Sequence, residues 1–224
     1  MDLTLWLPRF TAAMEETFGE RLLFLGLQGS RARGEAQEDS DIDTVVILDR
    51  LTAEDLAVFR AAAETLPYRE KLCGFVSSAA VLRSWDKGEL CGFVRDTGPL
   101  KGALRALTPL TGREEAQKAV HAGACALYHA CCHNLLYDRS GAMLAALYKS
   151  ARFILRAKVF ADGGEDCPDL TTLRNALSGE DWEILERYLA LRAGAAENLD
   201  AWGGPLLAWA EGLIVSYEKG EKTE

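Results

Sequence analysis

Gly29-Ser30-Arg31-Ala32-Arg33-Gly34, continued through Glu35 to Asp39 into Ser40-Asp41-Ile42-Asp43, is the stretch whose reading decides the fold. A short apolar run, Leu22 to Leu27, leads into it, and Ile42 through Leu48 form a second β-rich run. The pattern predicts a strand that ends in a tight turn at Gln28-Gly29-Ser30, a polar loop, and a second strand that opens on Asp-x-Asp. Alternate residues of a strand share a face, so Asp41 and Asp43 point one way and Ile42 the other. Two parallel carboxylates chelate hard divalent ions, and a bound cation relieves their mutual repulsion. Gly29 permits close backbone approach after the first strand, while Ser30 offers a hydroxyl and an amide to a phosphate oxygen. Taken together the parts suggest Mg²⁺-assisted phosphoryl-group chemistry. The competing reading is an Asp-rich turn before an ordinary strand.

Outward from this stretch, Trp6, Phe10, Met14 and Phe18 recur every fourth residue and Gly19 follows, which predicts an amphipathic first helix with a glycine stop. Thr52 with Asp55 three residues later opens a helix through about Leu66, ahead of Pro67. Leu-Cys-Gly-Phe-Val then occurs twice, at 72–76 and 90–94, and both copies read as short strands with a helix around Ala80 to Trp85 between them. Thr108-Pro109-Leu110-Thr111-Gly112 is a break, and beyond it the pattern is helical: about 113–137, 141–161, 169–177, 180–193 and 198–218. The expected fold class is α+β, a small mixed sheet in residues 1–110 followed by an all-α bundle in 111–224.

The chain has 224 residues, 49% of them apolar, and a formal net charge of −9. Acidity is spread evenly, with 13 basic and 17 acidic residues through Leu110 and 12 and 17 beyond it. Long nucleic acids are held by neutralising phosphates, so a polymer footprint is not expected; a small anion handled with metal ions is compatible. Met1-Asp2-Leu3-Thr4 lacks the basic start and apolar run of a signal peptide, and Leu206 to Val215, the longest apolar tail, is cut by Glu211. A cytoplasmic protein with six reduced cysteines and no membrane association is the expectation.

With these residues in view, Gly29-Ser30, Arg31-Ala32-Arg33-Gly34-Glu35-Ala36 and Ser40-Asp41-Ile42-Asp43 resemble the signature of the DNA polymerase β-like nucleotidyltransferases, particularly the minimal nucleotidyltransferases and the kanamycin-type aminoglycoside nucleotidyltransferases. The helical second half is similar in kind to the bundle that follows this domain in such enzymes. The resemblance implies that Gly29 and Ser30 hold the phosphates of ATP or another nucleoside triphosphate, and that Asp41 and Asp43 coordinate catalytic Mg²⁺ in a two-ion site. Arg31 or Arg33 would also contact phosphate, or else form a salt bridge to Glu35, Glu38 or Asp39. Members of the superfamily usually add a third carboxylate. The first Leu-Cys-Gly-Phe-Val copy carries none, so Asp96, read as lying at the end of the second copy's strand, is the preferred candidate, followed by Glu70 and Glu89. The expected reaction moves AMP from ATP to a hydroxyl and releases pyrophosphate. Its acceptor, an aminoglycoside-like small molecule or a protein, would sit between the two halves, and the helical half also offers a homodimer surface. The alternative is a degenerate nucleotide-binding regulatory or toxin-antitoxin-type interaction protein.

Two further patterns have less definite readings. His121, Cys125, His129 and His133 step by four along one helix, as zinc ligands, as a polar seam facing the acceptor, or as a packed seam. Lys149, Arg152 and Arg156 share a helix face and read as solvated charge, with phosphate contact as the sharper alternative.

Overall fold

The computed structural model describes residues 2–218, and these divide into two compact units with the boundary between Leu110 and Thr111. In the first unit α1 (Leu3–Phe18) precedes β1 (Leu22–Gln28), and a single turn of helix, α2 (Gly29–Ala32), leads into the polar loop before β2 (Ile42–Leu48). Then come α3 (Ala53–Glu64), β3 (Leu72–Ser78), α4 (Ala79–Ser84), α5 (Lys87–Asp96), β4 (Gly98–Lys101) and the short α6 (Leu104–Leu107). The sheet order is β3-β2-β1-β4, with β1 antiparallel to β2 and β4, and β2 parallel to β3.

Each face of the sheet has its own core, and alternation along β2 explains both. Ile42, Val46 and Leu48 pack with Trp6, Phe10, Met14 and Phe18 of α1, whereas Val45 and Ile47 pack with Ala79, Leu82, Leu90 and Val94 of α4 and α5. A register shift between Leu22 and Phe24 lets Leu22 and Leu25 share one face of β1, since one extra residue inverts the alternation. The Trp6 indole N–H donates to the Pro67 carbonyl at 2.7 Å, tying the start of α1 to the chain beyond α3. At the head of α3, Thr52 and Asp55 form a reciprocal capping box, and Arg21 donates to both Asp55 oxygens at 2.7 and 2.9 Å.

Three expectations need correction here. The second Leu-Cys-Gly-Phe-Val copy lies within α5 and is helical: Asp86 caps it, its side chain accepting from the Glu89 amide at 2.9 Å, and Leu90, Cys91 and Val94 turn inward at helical spacing. Asp96 is therefore the last residue of a helix and not the end of a strand. The fourth strand is instead Gly98–Lys101, four residues too short and too Gly/Pro-rich to carry a period-2 signal.

The second unit comprises α7 (Arg113–His133), α8 (Gly141–Ala161), α9 (Leu170–Ala176), α10 (Gly179–Arg192) and α11 (Leu199–Ser216). The buried stripe of α7 is Ala116, Val120, Ala124, Leu127 and Cys131, and α7 packs on α8 and α11. A π-turn over 134–138 ends α7, and buried Asn134 closes the connection to α8 by exchanging two hydrogen bonds with the Ser140 backbone, 3.0 and 2.9 Å. The solvated reading of the basic face fails at two of its three members. Arg152 and Arg156 are buried: the Arg152 guanidinium lies 4.5 Å from the Phe153 ring centroid, and Arg156 donates to both oxygens of Asp166 at 3.2 Å. Among the described residues no helix is long and apolar enough to cross a membrane.

Candidate nucleotide site

The site is built where the end of β1 lies beside the start of β2. Gln28 pairs with Asp43 across the antiparallel ladder, which brings the turn after β1 against the first residues of β2. Gly29 has φ +74°, a left-handed conformation that disfavours side chains, and a Cβ placed there would lie 2.0 Å from Asp43 Oδ2 and 2.9 Å from its Cγ. The Asp43 carboxylate thus occupies the volume that any residue other than glycine would fill. Ser30 follows, half-buried, and its carbonyl accepts from the Glu35 amide at 2.8 Å.

The loop is strapped at both ends. Arg31 reaches across it, Nε donating to the Asp41 carbonyl at 2.8 Å and Nη2 to the Ser40 carbonyl, and thereby draws Asp41 toward the Gly29 turn. Ser40 Oγ accepts from the Gln37 amide at 2.9 Å, and Lys71, at the foot of β3, donates to the Glu38 carbonyl. Asp41 is exposed just ahead of β2, Ile42 is fully buried and Asp43 is half-buried, so the two carboxylates flank a core residue. An exposed and a half-buried carboxylate, two residues apart beside a glycine turn, form a hard-oxygen donor pair that suits Mg²⁺.

Arg33 faces a different set of partners. Its Nη1 donates to both oxygens of Asp96 at 2.6 and 2.7 Å, its Nε to Glu35 Oε2 at 3.0 Å, and its side chain is 8% exposed. Burial opposes the guanidinium charge, but the hydrogen bonds and charge of Asp96, then of Glu35, outweigh it and raise the Arg33 pKa above its ordinary value. The other carboxylate candidates lie elsewhere: Glu70 is exposed in the turn before β3, and Glu89 accepts from the Trp85 indole N–H at 2.6 Å. On β3 the residue level with Asp43 is Cys73, which is exposed. Gly74 follows because β3 approaches so closely that a Cβ there would meet the Thr44 carbonyl oxygen at 2.3 Å. Among the described residues no three His, Cys, Asp or Glu side chains converge as a metal-holding group. The four-residue ladder of α7 forms no such group either: Cys125, His129 and His133 are exposed beside the buried stripe, and His133 Nδ1 lies 3.1 Å from Asp138 Oδ2.

Sequence reading identified the turn, the loop and the Asp pair. It named Glu35 as one of three salt-bridge partners for Arg33 but missed the Arg33–Asp96 contact, which joins residues 63 positions apart. The strap made by Arg31 was likewise invisible, because its acceptors are backbone carbonyls.

Residues 9–83, from within α1 to within α4, match the family model of the nucleotidyltransferase domain. The match lies within the first unit and supports a nucleotidyltransferase domain of the DNA polymerase β-like type there, followed in the chain by a helical part; the class of protein it supports is a nucleotidyl-transferring enzyme. Among solved structures the chain is similar to spectinomycin adenyltransferase from Enterococcus faecialis, solved with ATP and spectinomycin. The match has 13% identity and a TM-score of 0.59, and spans 96% of this chain and 99% of that one. At that identity the likeness is one of fold. No curated protein matches the sequence.

Proposed function

We propose that the protein transfers AMP from ATP to a hydroxyl of a small polar acceptor, with Gly29 and Ser30 binding the triphosphate and Asp41 and Asp43 holding Mg²⁺. The observation that carries this reading is the packing of the Asp43 carboxylate on the bare Cα of Gly29, which joins the glycine turn after β1 and a hard-metal ligand in one place. Bound there, Mg²⁺ supplies neutralisation of the triphosphate and polarisation of the attacked phosphorus. The chain's own contribution is positional. Gly29 leaves room for the Asp43 carboxylate against the turn, Ser30 Oγ donates to a phosphate oxygen, and Arg31, by fixing Ser40 and Asp41, keeps the two carboxylates together. The acceptor oxygen bonds to the α-phosphorus, the bond from that phosphorus to the α,β-bridging oxygen breaks, pyrophosphate departs, and the acceptor proton is lost to solvent. A small hydroxylated acceptor is favoured because the fold is shared, end to end, with an adenyltransferase solved with ATP and spectinomycin.

A second reading, nucleotide binding for regulation, draws on one observation: Cys73 stands level with Asp43 where a third carboxylate would complete the set. The class of the domain weighs against it. Incubation with Mg²⁺, α-labelled ATP and a panel of hydroxylated acceptors separates the two. Labelled, acceptor-dependent product is expected, reduced by more than about a hundredfold in Asp41→Asn/Asp43→Asn. Retained transfer in that variant would refute the metal assignment, and Mg²⁺-dependent ATP binding without transfer to any acceptor would favour regulation.

A further inference from the structure

Arg33, Glu35 and Asp96 form an ion cluster whose side chains are 8%, 9% and 15% exposed. Clusters of this kind are poor sources of stability, because desolvation of the charges offsets much of their attraction; what they fix well is geometry. Here the geometry concerns the loop that carries the site. Arg33 lies three residues after Ser30, and its partner Asp96 is the final residue of α5. A second tie runs in parallel, since Gln28 Nε2 at the end of β1 donates to the Phe93 carbonyl of α5 at 3.4 Å. Both oxygens of Asp96 are turned to the guanidinium, and hence not toward a reacting hydroxyl.

We infer that Arg33 and Asp96 are positioning residues: their ion pair pins the loop between Gly29 and Asp41 to the C-terminal end of α5, so that Ser30 and Asp41 stand beside Asp43 before the nucleotide arrives. The inference rests on the reading of Gly29, Ser30, Asp41 and Asp43 as the nucleotide and metal site. It assigns Arg33 to the loop and not to phosphate, and Asp96 to Arg33 and not to the acceptor. Preorganisation of this kind acts on binding as well as on turnover, because the cost of ordering the loop is met during folding.

The test compares wild type with the near-isosteric Asp96→Asn and with the exchanged pair Arg33→Asp/Asp96→Arg, using hydrogen exchange over residues 30–41 of the free protein, calorimetric titration with Mg²⁺ and ATP, and KM and kcat of transfer. Asp96→Asn is expected to speed exchange in that segment while the β2 core keeps its protection, and to weaken nucleotide binding by about tenfold. The exchanged pair should regain part of both. An Asp96→Asn variant whose loop protection and ATP affinity match wild type while kcat collapses would place Asp96 at the reacting atoms and overturn the inference; unchanged exchange, affinity and kcat would overturn it as well. Should the wild type take up no nucleotide at all, the functional reading fails, and the exchange arm alone still decides whether the ion pair pins the loop.

Discussion

At the scale of single residues, the site depends on what is missing at Gly29 and what stands at Cys73. Adjacent strands lie about 4.8 Å apart, so a group added to Cys73 would project beside Asp43. Cys73 and Cys125 are exposed, whereas Cys91, Cys131 and Cys167 are buried, and burial followed by the charge of neighbouring Cys132 pushes the Cys131 thiol up to about 12. Brief treatment with iodoacetamide near neutral pH should therefore label Cys73 and Cys125 first. Mg²⁺ with ATP should slow labelling of Cys73 severalfold and leave Cys125 unaffected, as peptide mass spectrometry would show; equal rates at Cys73 with and without nucleotide would argue against nucleotide at this sheet end. Gly29, Ser30, Asp41 and Asp43 were legible because their message is local: a glycine after an apolar run, then carboxylates at alternate positions. Cys73 was not, because its pairing with Asp43 depends on a parallel register that no local pattern encodes.

At the scale of elements, helix starts were the best encoded feature. Thr52 and Asp55 announced α3 through a capping box, and the structure adds Arg21, whose hydrogen bonds, together with those of Thr52, hold the Asp55 carboxyl well below its ordinary range against the effect of burial. A carboxylate with a depressed folded pKa gives stability that is complete above the unfolded value, about 3.9, and is lost as pH falls toward the folded one. Asp55→Asn should thus lower the urea midpoint by a constant amount between pH 7 and about pH 5, and the gap should shrink below about pH 4. A gap that persisted undiminished at pH 3 would mean that the ion pair with Arg21 is not its source. Capping was also the signal for α5: Asp86 with Glu89 three residues on is a helix start, yet the apolar pentapeptide that follows reads equally as strand. Burial of Arg152 and Arg156 was hidden for a related reason. Their i, i+4 spacing marks a helix face without saying whether Phe153 and Asp166 wait there or water does.

For the molecule as a whole, the net charge of −9 sets what can bind. Of the cations clustered at 149–158, Arg152 and Arg156 are enclosed among aromatic and acidic side chains, so neither is offered to a phosphate polymer. Duplex DNA should show no measurable binding at about 150 mM salt while Mg²⁺-dependent ATP binding persists, a contrast that filter binding would establish. Tight, salt-sensitive DNA binding would contradict it. The division into a mixed α/β unit and a helical unit is written in composition and period along the chain, whereas the identity of β4 and the partner of Asp96 depend on contacts assembled only in the fold.

The twin pentapeptides carry a last consequence. Leu72–Val76 is a strand, the identical residues 90–94 are helical, and the equivalent phenylalanines Phe75 and Phe93 meet with ring centroids 4.9 Å apart. A folding chain that laid the second copy along β2 in place of the first would present the same five side chains to the sheet, so nothing within the repeat penalises the exchange. Selection between the two arrangements must come from the flanks: Ser77-Ser78 completing the ladder after the first copy, the Asp86 cap before the second, and Asp96 finding Arg33 behind it. The ion pair that pins the loop is thus also a proofreading contact, rewarding only the chain that has kept its duplicate segments apart.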